Sequence, residues 1–192
     1  ADNRLVIFNS DNGADRYSLA EPEFFNANVP LRAYESSLYE GGIRVPAIAH
    51  WPEHIAPGSV SELAWYFPDL MPTFAELAGD MTGVPKDIDG LSIAPELLGA
   101  STAGRTQEQH EFLYWETQSG SRAVRMGDWK AVMPYPGAPI ELYNLANDLG
   151  ELKNVARDHP QRVETMRAHM TASHVDPPPQ VEPSPPDGRQ HF

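Results

Sequence analysis

A short, continuously apolar segment opens the chain. Residues 5–8 (LVIF) are rich in β-formers, and the polar turn sequence NSDNG follows them directly. A strand that is apolar on both sides and ends in polar residues is typical of the centre of a parallel α/β sheet. Residues 44–51 (RVPAIAHW) predict a second strand. Binding sites in such sheets lie beyond the carboxyl ends of the strands, which is where Asp11 and Asn12 fall.

A helical pattern occupies residues 68–79 (PDLMPTFAELAG). Asp69 is placed to cap its first turn, and Gly79 provides a stop at its end. The spacing sets three apolar residues on one face of the helix: Leu70, Phe74 and Leu77. We therefore predict an amphipathic helix after the second strand.

The pattern changes at residue 111. Three short β-rich runs, EFLYWE, SRAVRMGDWKAVM and IELYNL, are separated by Gly, Pro and Asp, which predicts a small antiparallel meander. A last helix is predicted over residues 160–173, capped by Asp158, with an apolar side formed by Val163, Met166 and Met170. The remaining segment, DPPPQVEPSPPDGRQHF, is rich in proline and lacks apolar periodicity, so we expect an extended tail.

The charge balance limits the partners. The chain has 14 basic and 27 acidic residues, a formal net charge of −13. Such a field repels phosphodiester backbones and anionic membrane surfaces, so we expect no nucleic-acid partner. An acidic surface suits divalent cations, although solubility alone is the commoner reason for one.

Cysteine usage and apolar run length exclude further classes. The 192 residues contain no cysteine, which excludes disulfides, thiolate zinc sites and a cysteine nucleophile among them. No apolar run approaches the roughly 20 residues that span a bilayer. No signal peptide precedes the first strand, and the chain begins without Met, so we expect these residues to belong to a longer protein.

Two segments carry candidate chemistry. Asp11 and Asn12 offer adjacent oxygen donors that a hard cation such as calcium accepts, but taken alone they are also an ordinary turn sequence. The second segment is LRAYESSLYEGGIRVP at residues 31–46, where arginines and paired glycines are typical of a loop that meets an anion. A bend held by an ion pair between Glu40 and Arg44 explains the same residues without a ligand.

Six segments in order give the chain a resemblance to the C-terminal half of the type I sulfatases, of the alkaline phosphatase superfamily. They are SDNG (10–13), LRAYESSLYEGGIRVPAIAHWPEHIAPG (31–58), PDLMPTFAELAG (68–79), DIDGLSIAPELLG (87–99), SRAVRMGDWK (121–130) and ELYNLANDLGELKNVA (141–156). The resemblance implies an α/β fold: part of an alkaline-phosphatase-like sulfatase sheet with helices, plus a small C-terminal antiparallel β-sheet packed with a helix. It divides the chain into residues 1–107, 108–175 and a Pro-rich tail, 176–192.

The resemblance also implies a chemistry. Sulfatases hydrolyse sulfate esters with a formylglycine, which is expected upstream of these residues, and with Ca²⁺. Asp11 and Asn12 match the family's pair of calcium ligands after a strand. The loop of residues 31–46 matches the wall of the sulfate pocket, with Glu40, Gly41, Gly42 and Arg44 holding its shape and Arg32 as a secondary candidate for anion contact.

Two positions depart from the family pattern. The family's loop resembles LRG-x-K-x-x-x-YEGG, and its lysine contacts sulfate, but Glu35 stands at the lysine position and Ala33 at the glycine. The first lysine of the chain is Lys86. A carboxylate facing an anionic substrate is repelled. Three explanations follow: a degenerate sulfatase, a substitute cation such as Arg32, or a Glu35 side chain that turns outward.

The leading hypothesis is a fragment of a sulfuric ester hydrolase that acts on a sulfated small molecule or carbohydrate. The alternatives are a phosphodiesterase or phosphonate hydrolase of the same superfamily, and a catalytically degenerate, sulfatase-like binding protein. The resemblance implies a periplasmic, secreted or lysosomal location. Because the catalytic nucleophile is missing from these residues, we expect the isolated fragment to be inactive and to expose an apolar face around residues 5–8 and 45–48.

Overall fold

A computed structural model describes residues 3–16 and 24–176. Two separate antiparallel sheets are joined by short helices. In chain order the elements are β1 (Val6–Asn9), α1 (Glu40–Ile43), β2 (Ala47–His50), α2 (Leu70–Ala78), α3 (Ala94–Leu98), α4 (Ala100–Ala103), β3 (Leu113–Glu116), β4 (Arg122–Met126), β5 (Trp129–Met133), β6 (Glu141–Asn144) and α5 (Pro160–Ala172). The fold is mixed α/β with a small C-terminal antiparallel sheet and a helix, as the sequence predicted.

The first sheet corrects one prediction. β1 pairs with β2 in antiparallel register, from Val6 opposite His50 to Asn9 opposite Ala47, whereas a parallel strand was predicted. An uninterrupted apolar run reports burial on both faces, but it does not report the direction of the neighbouring strand. The expected exposed apolar face is confirmed, because the exposed fractions are 49% for Val6, 64% for Phe8 and 62% for Ile48.

Helix α2 ends as predicted but begins and packs differently. Gly79 follows it in the left-handed conformation, with φ 76°. Asp69 makes no side-chain cap for α2; its buried carboxylate instead accepts backbone N–H groups of Tyr66 and Leu91 and contacts a ring nitrogen of His110. Phe74 is exposed, and the buried residues of α2 are Pro72 and Thr73. The predicted apolar face of the helix is therefore not a core face in this chain.

The C-terminal sheet confirms the predicted meander. Its order is β3-β4-β5-β6, and each strand is antiparallel to the one that precedes it. Successive side chains on a strand point to opposite faces, so alternate residues form two layers. Helix α5 covers one layer, and the buried residues of this apolar core are Val124, Ala131, Ile140, Leu142, Met166 and Met170.

Helix α5 spans nearly the predicted range but lacks the predicted cap. It begins at Pro160, where a missing N–H is harmless, and its N-cap is His159 rather than Asp158. Met166 and Met170 are buried on the predicted side, and Val163 packs beside them half-buried.

The loop of residues 31–46 covers the opposite face of the sheet. Its Leu38 and Tyr39 pack against the buried side chains Ala123, Val132, Tyr143 and Leu145. A segment from the predicted first domain thus completes the core of the predicted second one, and the boundary at residue 107 stays a prediction. Residues 177–192 of the predicted tail lie outside the described part of the chain. Among the helices of the described residues, none is long and apolar enough to cross a membrane.

Candidate functional site

Two hydrogen bonds bring the SDNG turn against the loop of residues 31–46. The N–H of Gly13 donates to the carbonyl of Gly42 (3.0 Å), and the N–H of Glu35 donates to the carbonyl of Ala14 (3.0 Å). Gly13 has to be glycine for this approach, because a Cβ there would overlap the carbonyl oxygen of Gly41. The two segments that carried candidate chemistry in the sequence are therefore neighbours in space.

The predicted calcium ligands lie at the surface of this turn. Asp11 is exposed and Asn12 is half-buried. The backbone N–H of Asn12 donates to one carboxylate oxygen of Asp11 (3.1 Å), and Ser10 Oγ donates to the carbonyl of Asn12 (2.8 Å). Within the described residues, the second carboxylate oxygen of Asp11 and the side-chain amide of Asn12 accept or donate no hydrogen bond.

The donors fit a calcium ion but are too few to hold one by themselves. Carboxylate and amide oxygens are the ligands that Ca²⁺ takes, typically six to eight per ion. In the ranges 3–16 and 24–176, no three His, Cys, Asp or Glu residues are grouped so that they could hold a metal. Asp11 and Asn12 can supply part of a coordination shell whose remaining ligands come from elsewhere.

Close backbone packing gives the loop its shape. A Cβ on Gly41 would overlap the carbonyls of Arg32 and Ala33, and the N–H of Gly41 donates to the Arg32 carbonyl (2.8 Å). Ala33 has φ 64°, in the left-handed region that favours glycine. This strained backbone angle explains why glycine is the residue of the family pattern there.

Arg32 is engaged with the C-terminal sheet. Its Nη1 donates to the Tyr143 hydroxyl (2.7 Å) and to the Glu151 carbonyl (3.1 Å), and its guanidinium carbon lies 3.7 Å from the centre of the Tyr39 ring. The bond to Tyr143 ties the loop to β6, and the bond to Glu151 ties it to the segment after β6, whereas the Tyr39 contact lies within the loop. The structure thus gives Arg32 a positioning role, and its contact with an anion stays a prediction.

Glu141 joins the two tyrosines of this contact. The hydroxyls of Tyr39 and Tyr143 both donate to Glu141 Oε2 (2.6 Å each), and Arg32 Nη1 lies 3.7 Å from the same oxygen. Burial, followed by the hydrogen bond to Glu141, raises the pKa of both phenols far above the ordinary value of 10.0. Both hydroxyls therefore remain protonated donors at any physiological pH.

A buried cluster of three charged side chains lies beneath the loop. Lys130 Nζ donates to Glu40 Oε1 (2.9 Å) and lies 3.0 Å from Glu151 Oε1. The other oxygen of Glu151 accepts the backbone N–H of Glu40 (2.6 Å). The exposed fraction of each side chain is 2% or less. Glu40 is thus held at its carboxylate by β5 and at its backbone by the segment that follows β6.

The predicted partner of Glu40 is present but more distant. Arg44 Nη1 lies 3.5 Å from Glu40 Oε2, and Arg125 Nη1 lies 4.0 Å from the same oxygen. The Arg44 side chain is 42% exposed, so water screens this pair. The buried Lys130 is the closest cation to Glu40 among the described residues.

Glu35 lies at the surface of the loop. The residue is exposed, and within the described residues its carboxylate makes no ion pair or hydrogen bond. A cation that the sequence interpretation did not consider is nearby: the guanidinium carbon of Arg16 lies 5.8 Å from the centre of the ring of Tyr34, the residue before Glu35.

The sequence interpretation missed Lys130 and Glu151. Both lie within segments that carried the resemblance, but their burial depends on the loop, which is 90 or more residues away. The signal that could have found Lys130 is strand alternation: in WKAVM, Lys130 shares a face with Val132, so a buried Val132 places the lysine in a buried layer.

This architecture is that of the alkaline-phosphatase-like hydrolases, because the solved structures it matches are sulfatases of that fold. The chain superposes on Ps i-CgsB with a TM-score of 0.69 and 29% sequence identity, over 89% of this chain and 36% of that one. It superposes on the sulfatase PsFucS1 from Pseudoalteromonas sp. with a TM-score of 0.67 and 23% identity, over 88% and 36%. The family model of the N-sulphoglucosamine sulphohydrolase C-terminal domain matches residues 34–175. The chain therefore belongs to the sulfatase family and corresponds to its C-terminal part.

Curated relatives support the same family. The chain is 35% identical to a sulfatase of Formosa agariphila, over 84% of this chain and 30% of the relative. It is 40% identical to human arylsulfatase A, over 66% and 24%, and 40% identical to human N-acetylgalactosamine-6-sulfatase, over 66% and 26%. The chain thus spans 24 to 30% of the length of these proteins.

Proposed function

We propose that this chain supplies one wall and part of the metal site of a sulfuric ester hydrolase that cleaves sulfate esters. Asp11 and Asn12 ligate Ca²⁺, and the loop of residues 31–46 borders the sulfate pocket. The nucleophile, a formylglycine, and the remaining metal ligands lie outside these residues, so the isolated chain is inactive. When bound, the cation offsets negative charge that builds on the sulfate oxygens in the transition state.

One observation carries the proposal. The hydrogen bond between Gly13 N–H and the Gly42 carbonyl sets the side-chain oxygens of Asp11 and Asn12 beside the loop, in a chain of the sulfatase family. The chain's residues then divide the work. Asp11 and Asn12 offer oxygens to the cation, while Glu40, Gly41, Gly42 and Arg44 fix the backbone next to it.

The substrate class follows from the relatives and the charge. Ps i-CgsB has been solved in complex with k-i-k-neocarrahexaose, a carbohydrate, and a second relative is an N-acetylgalactosamine-6-sulfatase. We infer that the substrate here is a sulfated carbohydrate or a small aryl sulfate. The net charge of −13 repels polyanions, and a bound cation would offset part of that repulsion at the site. The location that fits this class is periplasmic, secreted or lysosomal.

The metal role is tested by calcium titration of the full-length protein. Asp11→Ala is expected to weaken calcium binding more than about tenfold, because it removes a charged ligand, and to lower hydrolysis of an aryl sulfate accordingly. Asp87→Ala, which removes an exposed acid outside the SDNG turn and the loop of residues 31–46, is the matched control and should change neither. Calcium binding that is equal in wild type and Asp11→Ala would contradict the proposal.

Glu35 favours a second candidate, a degenerate relative that binds sulfated glycans without cleaving them. The test is Glu35→Lys in the full-length protein, with Glu35→Gln as a control that removes the charge without adding a cation. A rise in aryl sulfatase activity with lysine, beyond that with glutamine, shows that the carboxylate limits an intact site. No activity in any of the three proteins favours the binding role. Phosphodiester and phosphonate esters tested beside the sulfate separate the remaining superfamily chemistries.

A further inference from the structure

The buried lysine beneath the loop has no role in the proposed chemistry. Lys130 has no exposed side-chain surface, and placing an ammonium group there is costly unless carboxylates accompany it. Glu40 and Glu151 provide that charge, and Glu151 Oε1 is held by the charge of Lys130 alone, since it makes no hydrogen bond within the described residues. A hydrophobic residue at 130 would complete the layer formed by Val132 and Ala123 more simply. The presence of a buried lysine at position 130 is therefore explained by the carboxylates that it contacts, Glu40 and Glu151.

The contacts of Lys130 continue through α1 to the turn that carries Asp11 and Asn12. Lys130 binds the carboxylate of Glu40, the first residue of α1, and Glu151 binds the N–H of the same residue. Two residues later, the carbonyl of Gly42 accepts the N–H of Gly13. Gly13 follows Asn12 immediately. An unbroken series of short contacts thus joins the C-terminal sheet to the turn that carries Asp11 and Asn12.

We propose that Lys130 is a positioning residue for the calcium site: it fixes Glu40, and through the α1 backbone it fixes the turn of Asp11 and Asn12. The inference rests on the proposed function, because the metal role of that turn is the property being positioned. The C-terminal sheet then acts as the base on which one edge of the site is built. Losing the Lys130 charge should loosen the turn even though the two are not in contact.

The first test measures the turn without calcium or substrate. Hydrogen exchange is compared in the full-length wild type, Lys130→Met and Met166→Ala. Met166 is fully buried on the α5 side of the same sheet, so its truncation destabilises the subdomain without touching the loop. We expect the N–H groups of Gly13 and Glu35 to exchange about tenfold faster in Lys130→Met and at the wild-type rate in Met166→Ala. Equal acceleration in both variants, or in neither, overturns the proposal.

The second test measures the binding of calcium alone by calorimetry. Lys130→Met should raise the calcium dissociation constant several-fold, whereas Met166→Ala should leave it unchanged. Unchanged affinity in Lys130→Met, beside a clear loss in Asp11→Ala, overturns this inference and leaves the proposed function standing. No loss in Asp11→Ala overturns the proposed function, and the inference with it.

A second variant keeps the test decisive where Lys130→Met does not fold. Lys130→Met with Glu151→Gln removes the cation together with the carboxylate that only the cation offsets, and the glutamine oxygen can still accept the N–H of Glu40. Faster exchange at Gly13 than in Met166→Ala supports the proposal. Wild-type exchange and calcium affinity in the double variant show that the lysine charge is not needed, which overturns it.

Discussion

The two faces of the C-terminal sheet are both buried, but different kinds of side chain bury them. On the α5 face, Val124, Leu142 and Met166 meet without a polar atom between them. On the loop face, Lys130, Glu40 and Glu151 meet at distances between 2.6 and 3.0 Å. Apolar contact is non-directional, whereas charged hydrogen bonds need defined positions. The α5 face therefore stabilises the sheet, while the loop face also fixes the loop at one position.

The difference lies in what happens when one partner is removed. An apolar layer loses area and gains a cavity, and its neighbours relax partly into the space. When Lys130 is removed from the buried ion cluster, Glu151 loses its cation among the described residues, and Glu40 keeps Arg44 and Arg125 at 3.5 and 4.0 Å. The loop face should consequently be the more sensitive of the two to single substitutions.

The largest expected effect is that of Lys130→Met. It leaves two carboxylates buried together, and we expect a loss of about 3–5 kcal/mol in the free energy of unfolding. Adding Glu151→Gln should return part of that loss by removing the charge of Glu151, whose Oε1 accepts no hydrogen bond among the described residues. The measurement is chemical denaturation of the full-length protein followed by tryptophan fluorescence, because Trp129 lies against the α5 core and Trp115 against the loop-side core.

Met166→Ala gives the other half of this comparison. Its loss of about 2–5 kcal/mol comes from a cavity, so no charge substitution on the loop face should restore it. If Lys130→Met costs under about 1 kcal/mol, the two faces do not differ in the way described.

A smaller effect distinguishes the faces by pH. Burial raises the pKa of Glu151, on the loop face, above its ordinary value of 4.5, although Lys130 and the Glu40 N–H act to lower it. Protonated Glu151 therefore contributes to the free energy of unfolding. This contribution is fully present below pH 4.5 and is lost as the pH rises through the raised pKa of Glu151. Relative to Glu151→Gln, the wild type should lose at most about 1.4 kcal/mol per pH unit in that window.

Glu116, at the end of β3, should give the opposite slope. Burial acts to raise its pKa, but hydrogen bonds from Tyr114, His174 and Arg122 outweigh burial and lower the pKa to about 2. Its contribution is present above pH 4.5 and lost as the pH falls toward 2. Thermal melts of Glu151→Gln and Glu116→Gln between pH 2 and pH 8 check both signs, and slopes of the same sign would contradict the assignment.

The smallest expected effect concerns the bend of the loop. Ala33→Gly relieves the left-handed strain at φ 64°, which costs an alanine about 1–2 kcal/mol, but it adds flexibility to the unfolded chain. We expect a net gain of about 0.5–1 kcal/mol. Ala49→Gly in β2 is the control, and it should lose about 0.5–1 kcal/mol. A loss for both variants in thermal unfolding would show that the bend is unstrained.

Local patterns in the sequence predicted the helices and strands better than they predicted which residues and strands contact one another. The runs from residue 111 onward specify hairpins, because neighbouring strands with short turns leave few other arrangements. The direction of β1 was wrong, since an apolar run is equally compatible with either neighbour. The cap assigned to Asp69 was wrong because its carboxylate binds Leu91 and His110, which lie far along the chain.

In the candidate site, too, the local features were predicted and the long-range contacts were not. Adjacent oxygen donors such as Asp11 and Asn12 can be recognised in the sequence itself. Their proximity to the YEGG loop was implied by the family resemblance and not by any spacing of residues. The partnership of Glu40 with Lys130 was not predictable, because it depends on which face of a distant strand the loop covers. Arg44, which is closer to Glu40 along the sequence but farther from it in space than Lys130, accounted for the local pattern and so drew attention away from the lysine.

The long separation between these partners has a consequence for biosynthesis. Glu40 precedes Lys130 by 90 residues and Glu151 by 111. At about 5–20 residues per second, a ribosome needs roughly 5–20 s after making the glutamate before the lysine exists. During that interval the carboxylate stays hydrated, and the sheet that later receives it assembles from consecutive hairpins. The shape of the loop is thus decided by segments that are translated 90 or more residues after it.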